Sequence, residues 1–364
     1  MTQATQPEIS PVIEPILVRD LRFGTLLAFL VITLLISTTL AISIGPVPIP
    51  TSEVWNIAAA KVGLTEPRGW SQSEENIVWL IRFPRVLLSV IIGAGIAVVG
   101  TTMQALVRNP LADPYLLGVS SGASLGAVLA IGLGAFAFAG LYAVSFGAFA
   151  GALLAFLIVF VLGQQHGRLS MRRLILAGLA VSFVFQGLVS FITLTSDNRQ
   201  LAGQMMAWTM GSLARAKWFD LTLPTLVLLL GCGYLVLQAR SLNALLVGDE
   251  TAITLGIDLS RFRRQLFVLV SLLTGVMVAV SGPIGFIGLM VPHLVRMWTG
   301  SDHRRVLPFV MLIGSIFLIW VDVFARTAFN PTELPVGMIT TVLGGPFFLW
   351  LMWYQDHRPA RSAR

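Results

Sequence analysis

The chain has 364 residues, 56% of them hydrophobic and only 11% charged, with a mean hydropathy of +0.84; soluble domains carry about 25% charged residues, so the composition is that of an integral membrane protein. The net charge of +7 does not point to nucleic acid, because the arginines fall between apolar runs, where they set orientation. One cysteine, Cys232, excludes an intrachain disulfide or a cysteine metal cluster, and His166, His293, His303 and His357 are not at metal-ligand spacing.

The first residues hold Glu8, Glu14, Asp20 and three prolines and read as a tail (1–20), not a cleavable signal. Ten apolar runs follow, at 23–44, 86–107, 116–133, 135–162, 174–194, 221–237, 266–280, 284–298, 306–323 and 334–353. A helix needs roughly 20 residues to cross a bilayer core about 30 Å thick. The eighth run is the weakest, since Gly282-Pro283 and Pro292-His293 leave only a short unbroken piece. A half-span enclosed by protein, and a count of nine, both stay open. With the tail in the cytoplasm, inner segments collect sixteen arginines and outer segments eight lysines and arginines, which places both termini inside.

Small residues repeat across the two halves. Gly93, Ala97, Gly100, Pro110 and Gly118 recur 182 positions later as Gly275, Ala279, Gly282, Pro292 and Gly300. Small residues let membrane helices approach closely, and paired halves are the usual plan of a transporter. The repeat starts at spans two and seven. Five spans is an odd number, so the halves, about 82–195 and 264–354, are expected to be inverted. The fold class is all-α, one polytopic domain of about ten transmembrane helices in which spans 2–5 and 7–10 repeat. Gly93 and Gly275 are expected to be equally tight contacts.

The energy source is not in this chain. Its two lysines, Lys61 and Lys217, each follow alanine, so no phosphate-binding Gly-Lys-Ser/Thr loop exists. Span interiors are nearly free of the charges that ion-coupled carriers bury; Asp322 lies near the end of span nine, one turn before Arg326. No catalytic constellation is visible, so the chain reads as neither an enzyme nor the holder of a cofactor or metal. A secondary transporter stays open as the alternative.

Several long blocks carry a resemblance. IRFPRVLLSVIIGAGIAVVGTTMQALVRNPLADPYLLGVSSGA (81–123), WTMGSL (208–213), LNALLVGDETAITLGID (242–258), GPIGFIGLMVPHLVRMWTGSDHRRVLP (282–308) and ELPVGMITTVLGGPFFLWLM (333–352) resemble the permeases of iron-chelate and cobalamin ABC importers, the type II importers. The resemblance covers essentially the chain after residue 20. It implies a homodimer in the bacterial inner membrane, two cytoplasmic ATPase subunits carrying ATP and Mg, and a periplasmic substrate-binding protein. Ferric siderophore is the first expected substrate, with heme and cobalamin next.

The resemblance also implies site residues. Arg82, Arg85 and Arg326 are expected to receive acidic residues of the binding protein, through the oriented pairs that guanidinium and carboxylate form; anchoring of helix ends is the plainer reading. The segment 242–258, with Leu245, Gly248, Asp249, Glu250, Ala252, Leu255 and Gly256, is expected to form short helices that couple to the ATPase. Asp249 is expected to cap the second of them, and 292–305 to add contacts. Asn109, Leu111, Ser170 and Met171 are expected at a cytoplasmic gate, the alternative being helix capping by Asn109 and Ser170.

Overall fold

A bilayer offers no hydrogen bonds to the backbone, so apolar runs must satisfy their own peptide groups as helices. The computed structural model describes residues 16–66, 69–165, 168–329 and 331–356. The tail 1–15, Arg68, His166 and the C-terminal His357, Arg358, Arg361 and Arg364 lie outside the described residues. Helix α1 (Ile16–Ser43) is followed by the short α2 (Thr51–Lys61). Helix α3 (Gln72–Asn76) starts at Ser71, whose hydroxyl accepts from Glu74 N–H while the Glu74 carboxylate takes the Ser71 N–H, a capping box. A π-helical turn, Ile77–Arg82, carries the chain into α4 (Phe83–Val107).

The first half continues with a 3-10 turn (Pro114–Leu117), α5 (Val119–Leu133), a second 3-10 turn (Ala137–Tyr142) and α6 (Ala143–Leu162). A minimal hairpin, β1 (Gln164–Gln165) with β2 (Arg168–Leu169), leads to α7 (Met171–Leu194) and α8 (Arg199–Thr209). Then come α9 (Thr222–Leu237), the short pair α10 (Ala239–Val247) and α11 (Asp249–Thr254), α12 (Leu259–Ser281), α13 (Ile287–Thr299), α14 (His303–Thr327) and α15 (Val336–Asp356). Side chains of Asp258 and Asp302 accept from Arg261 N–H and Arg304 N–H and so start α12 and α14.

Among the described residues, eight helical segments are long and apolar enough to cross a bilayer. They match eight of the ten expected spans. The third and eighth are shorter: α5 has 15 residues and α13 has 13, about 22 and 20 Å at ~1.5 Å per residue. Helix α13 continues through Pro292 instead of stopping there. It begins only at Ile287, after an irregular stretch in which Phe286 adopts a left-handed φ of 68°. That stretch is partly enclosed by protein, with Gly282 and Ile284 buried and Pro283, Gly285 and Phe286 half-buried. Ile284 N–H donates to the Tyr115 hydroxyl at 2.5 Å, and Ser212 N–H donates to Ser281 O at 2.8 Å.

The halves pack reciprocally: α4 lies on α13 and α14 of the second half, and α12 lies on α5 and α6 of the first. Glycines make the closest seams. On α5, Gly122 and Gly126 face Gly151 and Gly147 of α6, with backbone so near that an added β-carbon would strike it; Gly100 meets Gly288 of α13 in the same way.

The repeated glycines are not equivalent in tightness. A β-carbon on Gly93 would collide with the Gly314 backbone of α14, whereas one on Gly275 would meet the Ala152 Cβ of α6 at an ordinary 3.4 Å. The partners obey the exchange of halves, but the expectation of equal tightness is corrected. Helix α4 continues to Val107, while α12 ends at Ser281, eight residues short of the matching point. The pattern therefore loses structural register after Ala97 and Ala279.

Gly93→Ala is expected to cost about 1–3 kcal/mol, as overpacking does, while Gly275→Ala leaves thermal unfolding in detergent essentially unchanged. Equal losses in the two variants would contradict this packing.

Candidate functional site

The last carbonyls of a helix have no partner within it, and α1 ends deep in protein. Arg82 and Arg326 supply the missing donors. Arg82 Nη1 donates to Ile42 O at 2.9 Å and to Ser43 O at 2.8 Å, and its Nη2 donates to Val47 O. Arg326 Nη2 donates to Ala41 O. Cations at a helix C-terminus also complement its dipole. Gly45 is required for this approach, because a β-carbon there would run into the Arg82 guanidinium.

Arg85 completes the cluster from the next turn. Its Nε donates to Asp322 Oδ1 at 2.9 Å and its Nη1 to Glu333 Oε2 at 2.8 Å, while Arg326 Nε stands 3.7 Å from Asp322 Oδ2. Three guanidiniums thus face two carboxylates. Arg82, Arg85 and Arg326 are each 4% exposed and Asp322 1%. The expected docking arginines therefore lie inside, where they tie α1, α4 and α14 together. Only the Glu333 side chain, 41% exposed, brings the cluster to the surface.

The other end of α4 holds the expected coupling segment. Gly248 separates α10 from α11 at φ 152°, and Gly256 turns the chain after α11 at φ 79°, conformations that favour glycine. Leu245 and Ala252 are fully buried and root the pair, while Val247, Ile253 and Leu255 are 74%, 61% and 67% exposed. Glu250 is exposed in the first turn of α11. Asp249 does not cap this helix with its side chain, which corrects the expectation; Gly248 stands at the cap. The carboxylate instead bridges two cations, with Oδ1 2.7 Å from Arg108 Nη2 and 2.8 Å from Arg263 Nη2. Beside it a groove of about 440 Å³ is lined by Leu169, Asp249, Ile253, Ile257, Leu259 and Arg263.

The expected gate residues sit at this same end. Asn109 Oδ1 accepts from Leu111 N–H at 2.9 Å, shaping the turn after α4. Ser170 precedes α7 without a capping side-chain bond, its N–H closing on Gly163 O at 3.0 Å, and Met171 packs half-buried on the core. In the 292–305 segment, Asn243 of α10 holds the start of α14: its Oδ1 accepts from His303 N–H at 2.9 Å and its amide donates to Asp302 Oδ1 at 2.7 Å. Burial disfavours the Asp302 charge, but Asn243, the Arg304 N–H and the fields of Arg304 and Arg305 outweigh it and hold its pKa below the ordinary carboxylate value.

Asp322→Ala would leave buried guanidiniums short of a counter-charge, and breaking a buried pair this way costs about 3–5 kcal/mol. Lys61→Ala removes a pair with Glu75 at 2.5 Å whose lysine is 38% exposed, and is expected to cost less than about 1 kcal/mol. Thermal unfolding followed by tryptophan fluorescence compares the two; a smaller loss for Asp322→Ala would contradict the cluster's structural role.

Known proteins share this arrangement of helices. The pattern of the FecCD transport family matches residues 32–354. The chain is 43% identical to the hemin transport system permease protein HmuU of Yersinia pestis over 334 residues, 91% of this chain and 96% of that one. It is 39% identical to the cobalamin import system permease protein BtuC of Halobacterium salinarum, covering 85% and 80%. It is 40% identical to the Fe(3+) dicitrate transport system permease protein FecC of Escherichia coli, covering 76% and 83%. A solved structure described as an inward-facing ABC transporter of the metal-chelate type superposes with a TM-score of 0.79 at 29% identity, over 91% of this chain and 99% of that one. The chain belongs to the FecCD transport family.

Proposed function

We propose that this chain is the membrane-spanning subunit of an ATP-driven importer of metal chelates, working as a homodimer in the bacterial inner membrane. Two separate ATPase subunits carry ATP and Mg and meet the α10–α11 segment. A periplasmic protein delivers the substrate at the opposite end of α4, and both termini face the cytoplasm. The observation that carries this reading is the α10–α11 pair itself. Its apolar side chains Val247, Ile253 and Leu255 are exposed while Leu245 and Ala252 at its root are buried and Asp249 pairs with Arg108 and Arg263 at the surface, the form of a rigid element that a partner can seize. Heme comes first among substrates, supported by the identity and coverage of the hemin relative. Ferric siderophore and cobalamin follow.

Docking of the periplasmic protein is assigned to Arg85, reached through Glu333. A carboxylate of that protein takes the place of Glu333 on Arg85 Nη1, exchanging an internal pair for an intermolecular one at little electrostatic cost. Arg82 and Arg326 hold the frame in which Arg85 is presented.

Two outcomes test the reading. An ATPase subunit should co-purify with the chain, and proteoliposomes should take up hemin only with ATP. The double reversal Asp249→Lys, Glu250→Lys should lower uptake at least tenfold while ATP hydrolysis continues. Uptake driven by an ion gradient without an ATPase would establish a secondary transporter instead.

For docking, Glu333→Gln removes the internal competitor. It should tighten binding of the periplasmic protein a few-fold at low salt, with a smaller gain at high salt. Unchanged affinity at both ionic strengths would remove Arg85 from the interface.

A further inference from the structure

The last turn of α4 carries Gln104, and Arg108 follows as its C-cap residue, directly before the turn 109–111. Arg108 itself is unusual. It ends α4 with a left-handed backbone, φ 55° and ψ 39°, where glycine or asparagine is the unstrained choice. Holding a long side chain in that conformation needs compensation from the surroundings. Its guanidinium reaches the Asp249 carboxylate of α11 at 2.7 Å across 141 positions of sequence. Asp249 is in turn held by Arg263 of α12 at 2.8 Å.

Gln104 is fixed from the other side. It is 2% exposed, its Oε1 accepts from Arg296 Nη1 of α13, and its amide donates to Gly288 O of the same helix at 3.2 Å. The Arg108 N–H and the Asn109 N–H both donate to Gln104 O. The turn 109–111 therefore hangs from a helix end anchored on α13 at Gln104 and tied to α11 at Arg108. A displacement of α11 has a direct ionic path to that turn, through Asp249 and Arg108.

We infer that Arg108 is a positioning residue that transmits movement of the ATPase-facing helix α11 to the gate turn 109–111, with Gln104 and Arg296 as its fixed point. This rests on the importer reading above. An exposed ion pair contributes little to stability, and glycine relieves the left-handed strain. A merely structural role for Arg108 thus predicts that Arg108→Gly is harmless in every respect. A transmitting role predicts normal stability with lost coupling.

The test uses the full chain with its co-purifying ATPase in proteoliposomes, carrying Leu111→Cys as a reporter at the gate. In this background ATP should change the rate of maleimide labelling at position 111 at least several-fold. Adding Arg108→Gly should abolish that change, leave ATP hydrolysis running and leave the unfolding temperature unchanged or higher. Arg108→Lys should restore the response, and Arg263→Gln, which removes the other partner of Asp249, should retain it. A full ATP-dependent change in Arg108→Gly overturns the relay alone. A Leu111→Cys reporter that ignores ATP although the ATPase is bound overturns the gate, and the relay with it. Failure of any ATPase to associate overturns the importer reading.

Discussion

Within an apolar bundle, a polar group that loses water must find its partner inside the protein, and the end of α1 shows how far this constraint reaches. Its final carbonyls, on Ala41, Ile42 and Ser43, take donors from Arg82 of α4 and Arg326 of α14. Arg326 in turn takes its counter-charge from Asp322, which also pairs with Arg85. Three helices that share no local sequence are thereby fixed at one end. The cost of a lone buried charge makes the set all-or-none.

Between the two polar ends, contact without water gives no hydrophobic drive, so close packing holds the helices. The glycine seams of α5 with α6, and of α4 with α13 and α14, do this. Such seams suit rigid-body movement of whole helices, because the seam itself deforms little. The short α10–α11 pair is different in kind. Its root is buried, its tip is exposed, and its one carboxylate bridge reaches α4. A force applied at that tip reaches the bundle as a displacement of a packed element, the form of coupling that two-state transporters use.

Much of this was legible in the sequence, and the failures have physical causes. Apolar runs located eight spanning segments and the two short helices, because length and hydropathy are local properties. The short pair around Gly248 was expected from the family resemblance of 242–258, not from a local property of the segment. Burial of Arg82 and Arg85 was not legible, since Asp322 lies 237 positions from Arg85 and no spacing rule links the two; for Arg326 only the helical spacing to Asp322 was visible. Gly275 failed because a small residue permits close approach without requiring it; only the neighbouring helix decides. Arg108 was passed over as an inner-loop charge, and nothing in its own neighbourhood marks the left-handed backbone or the partner at Asp249.

The central proposal is that nucleotide on the proposed partner ATPase moves the turn 109–111 at the end of α4. The most direct measurement is the distance between spin labels at position 111 in the two subunits of the assembled dimer, with and without ATP. A nucleotide-dependent change of several ångströms, lost when Asp249 and Glu250 are reversed, is the predicted result. An unchanged distance distribution in a complex that hydrolyses ATP and imports substrate would contradict it.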